Sequence, residues 1–409
     1  MEGTQDFMRF AHLSDLHLGY KTGNKTRDEV NIRELDGYTA YQALIDDILT
    51  QGVDFVVISG DSFHTPKPTV RAIITFQDGL KKLAAANIPV RIIAGNHDVT
   101  DYKGDVAASK IAHDPDRGIL SHAEPYVVSQ VLPGVYVHMI SHHMYRSQAD
   151  TMSQVTPVEG GVNILATHGS VIDPLVKERI RVEESPREIV IPEHFLTMGW
   201  DVMALGHIHE RGWVGPQENG VYYNGSLIRR GFSDNESTLG RGYTIWDDTT
   251  GVFTPEFHNV AQRPQIDFPA VDAANLNAAD VTDIILERLK DTSVDGAGFH
   301  HETAPILRQK VINIEPATTT GLDYSAILEA SKHALTWQLE LTRPQNTQDP
   351  VETKRGPRRK HHDMVSSFKE WAPTADNLQN LEQSVVETVI EQSTRFVQFG
   401  QDKALELKD

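Results

Sequence analysis

Seven side chains that can bind a divalent metal ion fall in five short segments of the chain. They are Asp15, His17, Asp61, Asn96, His168, His207 and His209. Most of the segments also contain a glycine, which allows the tight turns that bring backbone close to an ion. Carboxylate, amide and imidazole groups suit manganese, iron or zinc. The sequence has no cysteine, so thiolate sites, disulfides and cysteine nucleophiles are excluded.

Seven ligands are too many for one ion, and they fit a pair of ions that share Asp61. Two ions about 3.5–4 Å apart can activate a water molecule and stabilise both oxygens of a phosphoryl displacement. The chain has 38 basic and 57 acidic residues and a formal net charge of −19. A chain this acidic does not bind nucleic acid through its bulk charge. A function on DNA therefore needs metal ions, a local basic surface or a partner protein.

Each of the five segments follows a predicted buried strand. After the first strand, which precedes Asp15, the apolar runs lie at residues 55–58, 90–93, 162–165 and 202–205. Apolar residues at helical spacing predict one helix over 69–87 and another around 41–49. Strands that alternate with helices predict an α/β fold. In such sheets, ligands bind at the edge formed by the carboxyl ends of the strands, so the five segments are expected to meet there.

The five blocks D-x-H, G-D, G-N-H-D, H-G and G-H-x-H, in this order, resemble the calcineurin-like metallophosphoesterase superfamily. The resemblance covers roughly residues 8–230 and implies a four-layer β-sandwich flanked by helices. Residues 60–69 (G-D-S-F-H-T-P-K-P-T) and 223–226 (Y-N-G-S) resemble the SbcD-type nuclease subunits. Their eukaryotic counterpart acts in meiotic recombination and break repair.

This resemblance also implies a role for each residue. The ligands of one metal would be Asp15, His17, Asp61 and His209. The ligands of the other would be Asp61, Asn96, His168 and His207. His97 would donate a proton to the leaving oxygen, with Asp98 orienting it, and His64 would assist exonuclease action. The residues alone leave two alternatives open, because His64 could simply pack and Asp98 could cap a turn.

The chain is predicted to divide into four parts. Residues 8–248 form the metallophosphoesterase domain, and residues 265–342 show the pattern of a small α+β domain. The resemblance implies that this is a capping domain that guides DNA. Residues 343–374 are predicted to be a linker with a basic cluster, and the apolar stripe in 375–409 predicts a helical segment. By resemblance this segment binds an SbcC-type ATPase, although it could also pack on its own domain.

Several cationic side chains are candidates for contact with DNA phosphates. They are Lys67, Arg229, Arg230, Lys354, Arg355, Arg358, Arg359 and Lys360. The last five lie in the linker, where a solvated charge run or a nuclear address would have the same composition. His142 and His143 are adjacent, so on a strand they would face opposite ways, and we interpret them as structural.

The metal-binding residues and the resemblance together predict a Mn²⁺-dependent nuclease with two metal ions, an exonuclease on DNA ends and an endonuclease on single strands. The resemblance alone implies a homodimer that acts with an SbcC-type coiled-coil ATPase. No run reaches the roughly 20 apolar residues of a membrane helix, and residues 1–7 do not resemble a signal peptide. The expected location is cytoplasmic, or at the nucleoid in a bacterial cell. The alternatives are a small-molecule phosphodiesterase or phosphatase of the same superfamily and a non-catalytic scaffold.

Overall fold

The computed structural model describes residues 7–99, 106–122, 126–143, 145, 155–171, 189–232, 239–292 and 299–344. All of these residues belong to one compact unit, Met1–Pro344. Most of the predicted linker and the whole predicted helical segment, 375–409, lie outside the described residues. The same holds for the basic cluster Lys354, Arg355, Arg358, Arg359 and Lys360. Within the described part of the chain, no helix is long and apolar enough to cross a bilayer.

The described residues form strands, α-helices and four 3₁₀ helices. The strands are β1 (Arg9–Leu13), β2 (Thr26–Arg27), β3 (Val30–Asn31), β4 (Phe55–Ser59), β5 (Val90–Ile93), β6 (Ile119–His122), β7 (Val127–Leu132), β8 (Val135–Ile140), β9 (Val162–His168), β10 (Val202–Gly206), β11 (Gly212–Trp213), β12 (Val221–Tyr223), β13 (Gly242–Asp247), β14 (Thr254–Asn259), β15 (Gln265–Asp272), β16 (Ile306–Ile312) and β17 (Thr336–Leu341). The α-helices are α1 (Ile32–Ile48), α2 (Val70–Ala85), α3 (Ala278–Asp291), α4 (Pro316–Gly321) and α5 (Tyr324–Ala330). The 3₁₀ helices are Ala108–Ala112, Pro115–Arg117, Glu193–Thr197 and Gln217–Asn219.

Two six-stranded sheets pack against each other. Their strand orders are β14-β13-β1-β4-β5-β6 and β11-β12-β10-β9-β8-β7. The four apolar runs predicted to be strands are confirmed as β4, β5, β9 and β10. These strands are mostly apolar because both faces are buried, with Arg91 in β5 and Asn163 in β9 as polar exceptions. In β4, for example, Phe55 and Val57 pack between the sheets, whereas Val56 and Ile58 face the helices.

Helices α1 and α2 cover the outer face of the first sheet. Helix α1 begins after Asn31, whose side chain accepts a hydrogen bond from Arg33 N, and α2 begins after Thr69, whose hydroxyl accepts one from Ala72 N. Such caps satisfy amide groups that the helix itself leaves unpaired. A separate apolar cluster, which includes Phe195 and Trp200, covers the outer face of the second sheet. The α/β sandwich expected from the sequence is confirmed.

A second, smaller sheet follows the sandwich. Strands β15, β16 and β17 are parallel, and their apolar side chains form a separate core with α3 and α5. We call residues 265–341 the small sheet module. Strand β15 was not predicted from the sequence. Strand β14 pairs with β13 in the first sheet, so that sheet extends beyond the predicted domain end at residue 248.

Two arginines join the small sheet module to the sandwich. Arg263 binds both oxygens of Asp36 at 2.7 Å, which ties the segment before β15 to α1. Arg308 on β16 donates to the carbonyl of Phe232 at 2.6 Å. Arg308 also pairs with Asp267 at 2.6 Å. Paired hydrogen bonds of this kind fix orientation as well as distance.

The packing of α1 on α2 leads to a stability prediction at two helical glycines. A Cβ atom at Gly79 would lie 2.6 Å from Cε1 of the buried Tyr41. We expect Gly79→Ala to lower the free energy of unfolding by about 1–3 kcal/mol, because overpacking outweighs the gain in helix propensity. Gly37→Ala is the matched control. Its Cβ would lie 3.8 Å from the nearest atom, Ile228 Cδ1, so it should be neutral or stabilising in urea denaturation. Equal effects of the two substitutions would contradict this account of the packing.

Candidate metal centre

The predicted ligands all lie at the carboxyl ends of adjacent strands. Those from β1, β4 and β5 meet those from β9 and β10 where the edges of the two sheets face each other. Four of these residues have backbone φ angles that are unusual for a residue with a side chain: Asp15 (50°), His17 (45°), Asp61 (51°) and His207 (99°). Such conformations are costly, and they persist where the surrounding structure fixes them, often at functional sites.

Four ligand residues surround one position. His17 Nε2 lies 3.0 Å from His209 Nε2 and 3.6 Å from Asp61 Oδ2. Asp15 Oδ1 lies 3.9 Å from His17 Nε2 and 3.8 Å from His209 Nε2. Atoms that bind one ion at about 2.0–2.2 Å are separated from each other by roughly 3–4 Å. This group fits a single divalent ion.

A second group of ligands lies beside the first. Asn96 Oδ1 is 2.9 Å from His168 Nε2 and 3.1 Å from His207 Nδ1. Asp61 Oδ2 is 3.5 Å from His168 Nε2, so the same oxygen contacts both groups. The structure therefore brings all seven predicted ligands together, with Asp61 in the position of a bridge.

The charges at this edge favour a cation. Asp15 and Asp61 are almost completely buried. Burial raises the pKa of the Asp15 carboxyl, and the charge of Asp61 raises it further. Burial also acts to raise the pKa of Asp61, but His168 and His17 outweigh that effect and lower it. Two neighbouring buried carboxylates are stable only with cationic partners. The donor atoms thus fit divalent ions in both type and charge.

His168 is positioned to hold a proton that a metal ion would displace. Its Nδ1 donates to the carbonyl of Ser59 at 2.8 Å, and its Nε2 faces Asn96 Oδ1 at 2.9 Å. Burial has the largest single effect on the pKa of His168 and lowers it. The charges of Asp61 and Asp15 and the hydrogen bonds to Asp61 and Ser59 together outweigh burial and raise the pKa to about 9. A metal ion must bind the neutral imidazole, so metal binding here releases a proton.

His97 and His64 lie beside the ligands, with their rings stacked at 5.3 Å. The ring of His97 is 4.8 Å from that of His17. Its Nδ1 bonds to the carbonyl of His64 at 2.7 Å, and its backbone N–H donates to Asp61 Oδ1. Burial and the charge of Arg230 lower the pKa of His64 to about 4. His64 is therefore a neutral imidazole near pH 7.

The predicted role of Asp98 needs correction. Its carboxylate accepts backbone N–H groups from Gly95, Ser62 and Phe63 at 2.9–3.2 Å. It therefore caps the turns that carry Asp61 and His97, which was the alternative left open by the sequence. The partner that orients the ring of His97 is instead the carbonyl of His64.

Three other residues border the ligands. The buried ring of His142, which we interpreted from the sequence as structural, lies 5.7 Å from the rings of His168 and His207. Its position just after β8 follows the same strand-end rule as the ligands, so this signal was available. Tyr20 stacks edge-on against His64. Arg230 lies at the centre itself, bonded to His17 and His209.

The remaining cationic candidates are placed differently. Lys67 is exposed on the loop after His64. Arg229 is partly buried, and its carbonyl accepts a hydrogen bond from Arg33 at 2.6 Å. Among the described candidates, Arg230 alone touches a predicted metal ligand.

The sequence was compared with known proteins. Residues 8–211 match the family model described as calcineurin-like phosphoesterase. The DNA double-strand break repair protein Mre11 of Archaeoglobus fulgidus is 38% identical over 345 residues, which cover 75% of this chain and 74% of that protein. The chain belongs to the Mre11 group of calcineurin-like phosphoesterases. The family expected from the sequence motifs is thereby confirmed.

Other Mre11 relatives align over a shorter part of their length. The Mre11 proteins of Saccharolobus solfataricus and Thermoplasma acidophilum are 28% and 30% identical to this chain over 265 residues. These matches cover 63% and 62% of this chain, and 65% and 66% of the relatives. The chain thus spans slightly less than two thirds of these two Mre11 proteins.

The proton held by His168 predicts how metal affinity depends on pH. The folded-state pKa is about 9, so below pH 9 a metal ion must displace the proton. We expect the apparent affinity for Mn²⁺ to rise by about tenfold per pH unit over this range. Calorimetric titrations between pH 6.5 and 8, in two buffers of different ionisation enthalpy, would count the protons released. An affinity independent of pH, with no proton released, would contradict this assignment.

Proposed function

We propose that this protein is a metal-dependent nuclease that hydrolyses the phosphodiester bonds of DNA. The observation that carries the proposal is the convergence of seven oxygen and nitrogen ligands, from five strand ends, around two positions that share Asp61. Three of these side chains, from Asp15, His17 and His168, are fully buried. A purely structural arrangement would not need so many metal-binding groups at one strained edge.

The side chains at the site have separable roles in this proposal. Asp15, His17, Asp61 and His209 would hold one ion, and Asp61, Asn96, His168 and His207 the other. Two divalent ions, for which we propose Mn²⁺, would activate the attacking water and neutralise charge on the phosphate. His97, fixed through Nδ1 by the carbonyl of His64, would protonate the departing oxygen from Nε2. His64 stacks on His97 and would keep its ring in place.

DNA is the substrate that the surroundings favour over a small ester. The Mre11 relatives carry the name of DNA double-strand break repair proteins. The small sheet module is fixed to the sandwich by Arg263 and Arg308, and a small ester would have no use for it. We propose that this module is a capping domain that guides DNA. Exonuclease action on ends and endonuclease action on single strands would follow from how DNA is presented.

We further propose that residues 375–409 bind an SbcC-type coiled-coil ATPase and that the nuclease acts as a homodimer in the cytoplasm. The support for the ATPase site is the order of the parts along the chain: a phosphoesterase domain, a small module, a predicted basic linker and an apolar stripe at helical spacing. The homodimer rests on the family resemblance alone. The basic cluster in the linker would add positive charge that the acidic chain otherwise lacks, in contact with DNA phosphates.

Substitution of the proposed acid tests the chemistry. We expect His97→Gln to reduce Mn²⁺-dependent cleavage of a labelled DNA duplex by about 10²–10⁴-fold, because the leaving oxygen would lose its proton donor. Mn²⁺ affinity should stay near that of the unsubstituted protein, since His97 is not a proposed ligand. Cleavage would be measured on gels and Mn²⁺ binding by calorimetry.

The matched control is His194→Gln, which removes an exposed histidine outside the centre. It should cleave DNA at the rate of the unsubstituted protein. Each protein would also be given bis-p-nitrophenyl phosphate. Hydrolysis of this ester without any cleavage of DNA would favour the small-molecule phosphodiesterase. If the unsubstituted protein hydrolyses neither substrate with bound Mn²⁺, a non-catalytic scaffold is favoured.

Deletion of residues 375–409 tests the partner. We expect the full-length chain, purified from its native cells, to bring a large coiled-coil ATPase with it, and the truncated chain to lose that ATPase. Hydrolysis of bis-p-nitrophenyl phosphate should be the same for both chains, because the metal centre lies within residues 15–209. Retention of the ATPase by the truncated chain would assign the binding site to another part of the protein.

A further inference from the structure

Arg230 makes direct contact with two of the proposed metal ligands. Its Nη1 lies 2.9 Å from His17 Nε2 and 3.2 Å from His209 Nε2. A guanidinium group is always protonated and can only donate. Both imidazole nitrogens must therefore accept, so each directs a lone pair at the arginine. These are the lone pairs that would bind a cation of the centre.

The main chain and the side chain of Arg230 both contact Tyr20. Its carbonyl accepts a hydrogen bond from the Tyr20 hydroxyl at 3.2 Å. The guanidinium carbon lies 5.3 Å from the centre of the Tyr20 ring, a distance that allows a cation–π contact. Tyr20 follows His17 by three residues, so the segment that carries the ligand also holds the arginine. Contacts with Tyr20 therefore hold both the main chain and the guanidinium of Arg230 beside the centre.

Once divalent ions are bound, their positive charge determines which group can hold the guanidinium of Arg230. A guanidinium and two divalent ions repel one another in a partly buried site. An anion that lies between them removes this conflict, and a phosphodiester is such an anion. The planar guanidinium group also matches two phosphate oxygens at once. Among described residues, Arg230 is a cation at the centre in direct contact with the ligand nitrogens.

We propose that Arg230 binds the substrate phosphate at the metal centre, and that without phosphate it competes with metal for His17 and His209. This rests on the two-metal centre of the proposed function. Phosphate would draw the guanidinium away from the imidazoles and so favour metal binding. By linkage, metal would favour phosphate binding to the same degree. The full centre would therefore assemble more readily with an anionic substrate in place.

Two measurements with opposite expected signs test the proposal. In calorimetric titrations without substrate, Arg230→Gln should bind Mn²⁺ more tightly than the unsubstituted protein, because a competitor is gone. At saturating Mn²⁺, the same substitution should raise KM for bis-p-nitrophenyl phosphate by about 10-fold, the usual effect of losing a charged hydrogen bond. A merely structural arginine would weaken both kinds of binding when replaced. Lys81→Gln, an equal change of charge on an exposed part of α2, should alter neither.

The Mn²⁺ titration tests whether Arg230 competes with metal, and it does so independently of catalysis. Unchanged or weaker Mn²⁺ binding by Arg230→Gln would overturn the proposal. Should that variant fail to fold, Arg230→Lys replaces it. A lysine keeps the charge but loses the paired geometry, so KM should rise while Mn²⁺ affinity changes little, and an unchanged KM would overturn the proposal. If the unsubstituted protein hydrolyses no phosphodiester, the proposed function fails. The Mn²⁺ titration then still decides whether Arg230 competes with metal.

Discussion

Two carboxylates that are buried side by side determine which groups must surround them in this structure. Asp15 and Asp61 stand at the ends of neighbouring parallel strands, β1 and β4, with almost no exposure to solvent. Like charges in such a place are unfavourable unless cations compensate them. The imidazole of His168, which holds a proton, and the guanidinium of Arg230 supply positive charge at this centre. Divalent ions would meet the same requirement more completely.

The sandwich makes such an arrangement possible. Apolar layers on both faces of each sheet hold the central strands rigidly, and the packing over-determines where their ends lie. The strained backbone at Asp15, Asp61 and His207 can then persist. The close approach of Gly95 to Asp61 adds a further constraint, because a side chain at Gly95 would collide with the carboxylate of Asp61. Hydrophobic burial of the sheets therefore fixes the geometry of the ligands at their ends.

Strands β4, β5, β9 and β10 and all seven ligands were predictable, because buried parallel strands are mostly apolar and the polar residues at their ends recur in a fixed order. Strand β15 was missed because Pro269 and its charged residues interrupt the pattern, and the pairing register shifts beside that proline. The true role of Asp98 depends on which of several nearby donors it meets, which spacing alone does not determine. The reach of Arg230 into the centre depends on the anchor at Tyr20, 210 positions away in the sequence.

The ion pair between Arg263 and Asp36 is the first link in a longer series of hydrogen bonds. Asp36 also accepts from Arg33 at 2.6 Å, and Arg33 in turn donates to the carbonyl of Arg229, one residue before Arg230. A continuous chain of polar bonds therefore runs from the small sheet module to the loop that enters the metal centre. A shift of that module against the sandwich would therefore also change the position of the loop that places Arg230 beside the predicted metal ligands.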